Sequence, residues 1–205
     1  MDDIGRFVIG DAGYRALYGD LEASGRMVRE VGSPAGARTL LRQSEGDLAL
    51  CIYYPDSLVA CLERHDPTRS LDATNVAPFA VLVEELDHFL TIAERYRSGG
   101  VLSLLELEIH AHVTKYLVLK LFVARLRGSA RVSAADTAWI RSRLFEEAGY
   151  GEPDPAVRAR YRDAARLAAR YVQALDDMPP ARRIPELRRF HRLSPQAKHA
   201  RIAAL

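Results

Sequence analysis

The sequence predicts an all-α protein: an irregular helical bundle of six to eight helices around a long central antiparallel helix pair, with at most a minor two-stranded β element near the N-terminus. Three observations carry that expectation. Apolar residues recur at helical spacing along most of the chain, in segments cut by Gly and Pro. Two of those segments are long and meet at Gly99-Gly100. Only residues 47–54, DLALCIYY, read as a convincing strand, because they partly alternate, are rich in aromatic and branched residues, and end at Pro55.

Taken in order, Tyr14, Leu17, Tyr18 and Leu21 predict a helix over residues 11–30 with Asp11 as N-cap, weakened by Gly19 and Gly25. Ser33-Pro34 reads as a cap followed by a first-turn proline and predicts a short helix to Leu41. A strand at 47–54 needs a partner, and residues 7–9 offer the other candidate. Asp56 is placed to cap a short helix ending near Arg64, and HDPTRSLDATN then reads as a surface connection. A long helix is expected over 77–96 and a second over 101–127, stopped by Gly128. Ser133 with Asp136 resembles a capping box for a helix that includes Trp139. Asp154-Pro155 starts an amphipathic helix to about 175, and Pro179-Pro180 stops it. Pro185 and Pro195 split the tail into two short helices.

Composition sets limits on function. The chain is 48% apolar and 27% charged, the balance of an ordinary globular protein of one domain. No stretch approaches the roughly 20 apolar residues of a membrane span, and the acidic start MDDIGRFVIGD lacks the apolar run of a signal peptide. Cys51 and Cys61 fit neither a disulfide framework nor a zinc pattern, which predicts small buried thiols and a reduced, cytoplasmic setting. There is no Gly-rich phosphate loop and no Gly-x-Ser-x-Gly elbow, so nucleotide binding and serine hydrolysis are disfavoured.

Net charge is unevenly divided. Residues 1–155 hold 17 Lys/Arg against 23 Asp/Glu, and residues 156–205 hold 12 against 4. The expected organisation is therefore a helical core domain over 1–155, with a basic C-terminal helical segment over 156–205 packed on the same domain. Arg158, Arg162, Arg166 and Arg170 repeat every four residues, and Arg188 and Arg189 belong to a second cluster around Phe190. Such stripes are usually solvated faces, and they also suit nucleic acid or an acidic partner.

The chemistry, if any, lies in the central helix pair, where Glu and His stand among apolar residues that should be buried. At about 100° per residue, Phe79, Leu82, Val83, Leu86, Leu90 and Ala93 form the expected core stripe of the first helix, and Glu85 and His88 lie on a second apolar-framed line. Glu84, Asp87 and Thr91 fall on a flank between the two. In the second helix His112 lies inside the main stripe, Glu108 and Lys115 on its edge, and Glu106 and His110 on the solvated side. His110 and His112 point about 200° apart and do not chelate one ion on a helix.

Antiparallel packing would bring Glu85, His88, Glu108, His112 and Lys115 together. Three readings follow. Two carboxylates and two imidazoles suit Zn, Fe or Mn, as in a metal-dependent hydrolase or oxidase. Glu85-Leu86-Asp87-His88 has the Glu-x-x-His form of di-iron carboxylate bundles, but Glu108-x-x-x-His112 has a different spacing, so no family is assigned. Alternatively the cluster is a metal-free acid–base or ligand site, or a set of satisfied polar groups in which Lys115 pairs Glu108 or Glu85 and locks two helices in register. The expected protein is a soluble helical binding or interaction module for a protein or small-molecule partner, with the metal-dependent enzyme and the nucleic-acid-associated protein as alternatives.

Overall fold

The N-terminal quarter folds around a small sheet, where the sequence predicted helices and at most two strands. The structure, a computed structural model, describes residues 8–24, 29–32, 36–44, 47–146 and 154–205. Strands β1 (Val8–Ile9), β2 (Arg29–Gly32), β3 (Arg38–Ser44) and β4 (Asp47–Tyr53) stand in the order β1-β4-β3-β2. β3 runs antiparallel to both neighbours, with Leu41 opposite Leu50 of β4 and Arg29 of β2. β1 lies parallel to β4, Val8 opposite Ile52. The expected strand over 47–54 is therefore present, and the helix expected over 33–41 is corrected: from Arg38 onward it is β3, while 33–35 lie outside the described residues.

The helical reading of β3 failed because the strand is covered on both faces. Thr39 and Leu40 are both buried, Leu40 lining a small pocket with Leu17 of the first helix and Thr39 against the long helix described below. A strand packed on two sides loses the polar–apolar alternation that marks a half-exposed one. The helix expected over 11–30 is shorter: α1 (Asp11–Ser24) ends one residue before Gly25, and Arg29 and Glu30 belong to β2.

After the sheet come α2 (Asp56–Arg64), α3 (Val76–Arg97), α4 (Leu104–Leu126), α5 (Ala134–Arg141) with a π-helical turn over Ser142–Glu146, α6 (Pro155–Asp177), α7 (Pro180–Arg192) and α8 (Pro195–Ala203). The described residues thus contain eight α-helices, and the chain is mostly helical. None of these helices is long and apolar enough to cross a membrane. Asp56 caps not its own helix but another: its Oδ1 accepts from the Asp11 N–H at 3.2 Å, and Asp11 Oδ1 accepts from the Asp56 N–H at 3.4 Å. Each aspartate satisfies the first turn of the other's helix. α3 ends at Arg97, and Gly99, with φ of +63°, makes the left-handed turn that follows. α4 starts at Leu104, three residues later than the spacing predicted, because the Ser103 hydroxyl accepts from the Glu106 N–H at 3.1 Å.

Contacts along α3 and α4 run in opposite senses, from Glu84 with Lys115 through Asp87 with Thr114 to Arg95 with Glu106. Val83, Tyr116, Leu119, Ile140, Ala168, Tyr171, Phe190 and Ile202 join α3 to α8 in one apolar core. Ala164, Ala165 and Ala168 are buried along α6, so the abundant alanine lets α6 approach α4 closely. The stripe expected on α3 is corrected in its second half. Leu86 is 41% and Leu90 64% exposed, while Glu84, Glu85, Asp87, His88 and Thr91 are buried. Cys51 and Cys61 are free thiols, each half-buried rather than buried.

Candidate metal centre

α3 turns its polar side inward because it is enclosed by the sheet on one side and α4 on another. Glu85, expected beside His88, faces the sheet: Thr39 Oγ1 donates to Glu85 Oε2 at 2.9 Å. Glu84 takes the place beside His88. It lies four residues earlier, one helical turn, so the two side chains share a face. Glu108 approaches from α4, and one donor atom from each of Glu84, His88 and Glu108 lies within 4.8 Å of the others. His112 follows Glu108 by the same four residues. The two helices thus contribute matched Glu-x-x-x-His pairs, Glu84/His88 and Glu108/His112.

The electrostatics are those of a dry site. Lys115 Nζ donates to Glu84 Oε2 at 2.8 Å. Burial, the largest single influence, pushes the Glu84 carboxyl up, but the charge and hydrogen bond of Lys115 and the nearby His88 and His112 rings together hold it below the ordinary carboxylate range. Glu108 has no such partner: burial, reinforced by the Glu84 charge, pushes it up to about 8. Burial keeps His88 neutral by lowering it, and burial with the Lys115 charge pushes His112 down to about 3. Without a cation, the cluster at neutral pH is a Glu84–Lys115 ion pair, a protonated Glu108 and two neutral imidazoles.

Polar satisfaction differs from residue to residue within the cluster. Both ring nitrogens of His88, both carboxyl oxygens of Glu108 and Nδ1 of His112 are buried with no hydrogen-bond partner among the described residues. His88 Nε2 stands 3.8 Å from Glu108 Oε2, beyond hydrogen-bonding reach. Leaving a buried polar group unpaired costs about 1–3 kcal/mol. A set of groups whose task was to lock two helices in register would be satisfied by one another. Glu84 with Lys115 and Glu85 with Thr39 fit that description. His88 and Glu108 do not.

The flank residues of the sequence reading form a second polar layer. Asp87 accepts from Thr114 Oγ1 at 2.7 Å and lies 2.9 Å from His110 Nδ1. Glu106, expected in solvent, is 1% exposed and accepts from Arg95 at 2.7 Å and from Lys198 of α8. The basic segment therefore touches the acidic part of the chain through Lys198. Of its arginines, Arg162, Arg166, Arg170, Arg188 and Arg189 are exposed and Arg158 half-buried. Arg166 pairs with Asp163 at 3.0 Å, and Arg170 donates to the Ala203 carbonyl at 3.0 Å.

The signal for Glu84 was in the sequence as the repeated four-residue spacing. It was hidden because Leu86 and Leu90 suggested a different rotation of α3. No protein-family model, curated protein or solved structure matches the chain.

Proposed function

We propose that this protein binds a divalent transition-metal ion through Glu84, His88 and Glu108, and that the metal ion is what its central polar cluster serves. The observation that supports this most directly is the convergence of unpartnered buried donor atoms on His88 and Glu108 beside Glu84. Two carboxylates and an imidazole suit Zn, Fe or Mn. Three protein ligands leave one position of a four-coordinate ion for water or substrate, the composition of catalytic more than of structural zinc sites. That is the ground for the metal-dependent enzyme, and His112, on the same face as Glu108, would border the open position. The expected helical binding module becomes specific in this reading, with the metal ion as its ligand.

Charge supports the same view. The two carboxylates and Lys115 sum to −1 once Glu108 ionises, and a divalent ion supplies the attraction that Glu108 lacks against its burial. The ion displaces the Glu108 proton. Elemental analysis of the full chain, purified from metal-supplemented medium, should give about one transition-metal ion per chain. His88→Gln and Glu108→Gln should each reduce that to trace levels while circular dichroism remains helical. Trace metal in the wild-type protein, or retention in both variants, would remove the proposal.

A further inference from the structure

A cleft of 460 Å³ lies between α4 and α7, and the buried centre does not use it. Its floor holds two histidines, each oriented by a carboxylate. His110 Nδ1 lies 2.9 Å from both carboxylate oxygens of Asp87, which Thr114 also fixes. His191 Nε2 lies 2.7 Å from Glu94 Oε2. The two remaining nitrogens, His110 Nε2 and His191 Nδ1, face each other at 2.9 Å.

A metal-ligating histidine offers one ring nitrogen and gives the other to an acceptor, and here both outer nitrogens, His110 Nδ1 and His191 Nε2, meet carboxylates. The inner nitrogens, 2.9 Å apart, are left to share one hydrogen or one ion between the rings. A carboxylate behind the ring is also the arrangement that orients metal-ligating histidines and raises their basicity. The pair is held in place from outside the rings: Arg95 donates to the carbonyls of His191 at 3.1 Å and Leu193 at 3.2 Å, fixing the end of α7 to α3.

We propose that His110 Nε2 and His191 Nδ1 form a second, exchangeable metal site at the floor of the α4–α7 cleft, for a borderline divalent ion such as Zn²⁺, Ni²⁺ or Cu²⁺. Metal–nitrogen bonds of about 2.0–2.1 Å at a tetrahedral angle place the two nitrogens about 3.3 Å apart, so the pair must open by about 0.4 Å and each ring must turn by roughly 35° to aim its nitrogen at the ion. The His191 side chain, 36% exposed, has room for that movement. The remaining coordination positions face the cleft, where water completes them, or an anion attracted by the exposed Arg188 and Arg192 at its edge. Two protein ligands and solvent access make this site weaker and faster to exchange than the buried centre.

The two sites are separable. Zn²⁺ titration of the metal-stripped full chain should show a tight and a weak equivalent. His191→Gln should weaken the second by more than about tenfold and leave the first unchanged. His88→Gln should do the reverse. If the wild type binds a single equivalent that His88→Gln abolishes and His191→Gln preserves, this second site is overturned and the buried centre stands. If the single equivalent is lost only in His191→Gln, the buried centre fails and the cleft site stands. Cu²⁺ added to His88→Gln protein should give an electron paramagnetic resonance spectrum coupled to two nitrogens, a readout that does not depend on the folding of His191→Gln. Coupling to one nitrogen or none would overturn the proposal.

Discussion

Glu108 concentrates the chemistry at the scale of single residues, since burial and the Glu84 charge hold its carboxyl near 8 against an ordinary value of 4.5. The folded state therefore binds this proton more tightly than the unfolded chain. Its contribution to metal-free stability is full below pH 4.5 and is lost as pH rises to about 8, on the order of a few kcal/mol. His112 acts in the opposite sense. Its folded value near 3 lies below the ordinary 6.5, so its contribution is present above pH 6.5 and lost as pH falls toward 3. Urea melts of metal-free protein should show stability declining between about pH 6.5 and pH 8, because below that window the His112 gain offsets the Glu108 loss, and Glu108→Gln should abolish that decline while the acid-side loss remains. An unchanged alkaline slope in the variant would place the titration elsewhere. Saturating metal should flatten the slope in the wild type, because the ion replaces the proton. The types of these residues were legible in the sequence, but their separation from a solvated set was not, since Glu106 is 1% exposed and His110 lies against Asp87. Which glutamate joined His88 was not, since Glu84 and Glu85 differ by only about 100° of helix rotation.

α3 shows at the scale of the element why a periodic pattern can mislead. Its first half obeys the expected stripe, with Phe79 and Val83 in the core. Its second half reverses it, exposing Leu86 and Leu90 and burying Glu84, Asp87 and Thr91. Two apolar lines and a polar flank leave the rotation of a helix undecided, and here the bonds to Lys115, His110 and Thr39 decide it. Leu90→Lys should change stability by no more than about 0.5 kcal/mol. Ile92→Ala, two residues on and 8% exposed, should cost about 2–5 kcal/mol. Comparable losses in the two denaturant titrations would contradict this rotation. Caps were easier to read, because they depend on neighbours in sequence: Ser133 accepts from the Asp136 N–H at 3.0 Å and Asp154 from the Ala156 N–H at 2.7 Å, as their spacings predicted. Asp11 and Asp56 escaped because each caps the other's helix across 45 residues.

At the scale of the whole molecule, the acidic and basic parts of the chain meet in its interior as well as on its surface. Glu106 holds Arg95 of α3 and Lys198 of α8, and Lys198 is 1% exposed with Phe190 beneath it. Replacing Glu106 with Ala strands a buried ammonium and half-buried guanidinium, at a cost of about 3–5 kcal/mol. Chemical denaturation should show that loss as one cooperative transition, and metal at Glu84, His88 and Glu108 should persist. Two separate transitions in the variant would mean that α7 and α8 are held independently of the core.

What the sequence by itself determined is local: most helix starts and stops after Pro55, the strand at 47–54, the unequal charge, and the gathering of Glu, His and Lys on α3 and α4. Those features depend on residues within a turn or two of one another. Only the tertiary structure decided the partners of β4, the rotation of α3, and the pairing of Glu84 with Lys115 and of Glu85 with Thr39. A strand covered on both faces and a helix enclosed on two sides lose the contrast between polar and apolar faces. Where that contrast is lost, the arrangement is set by long-range contacts.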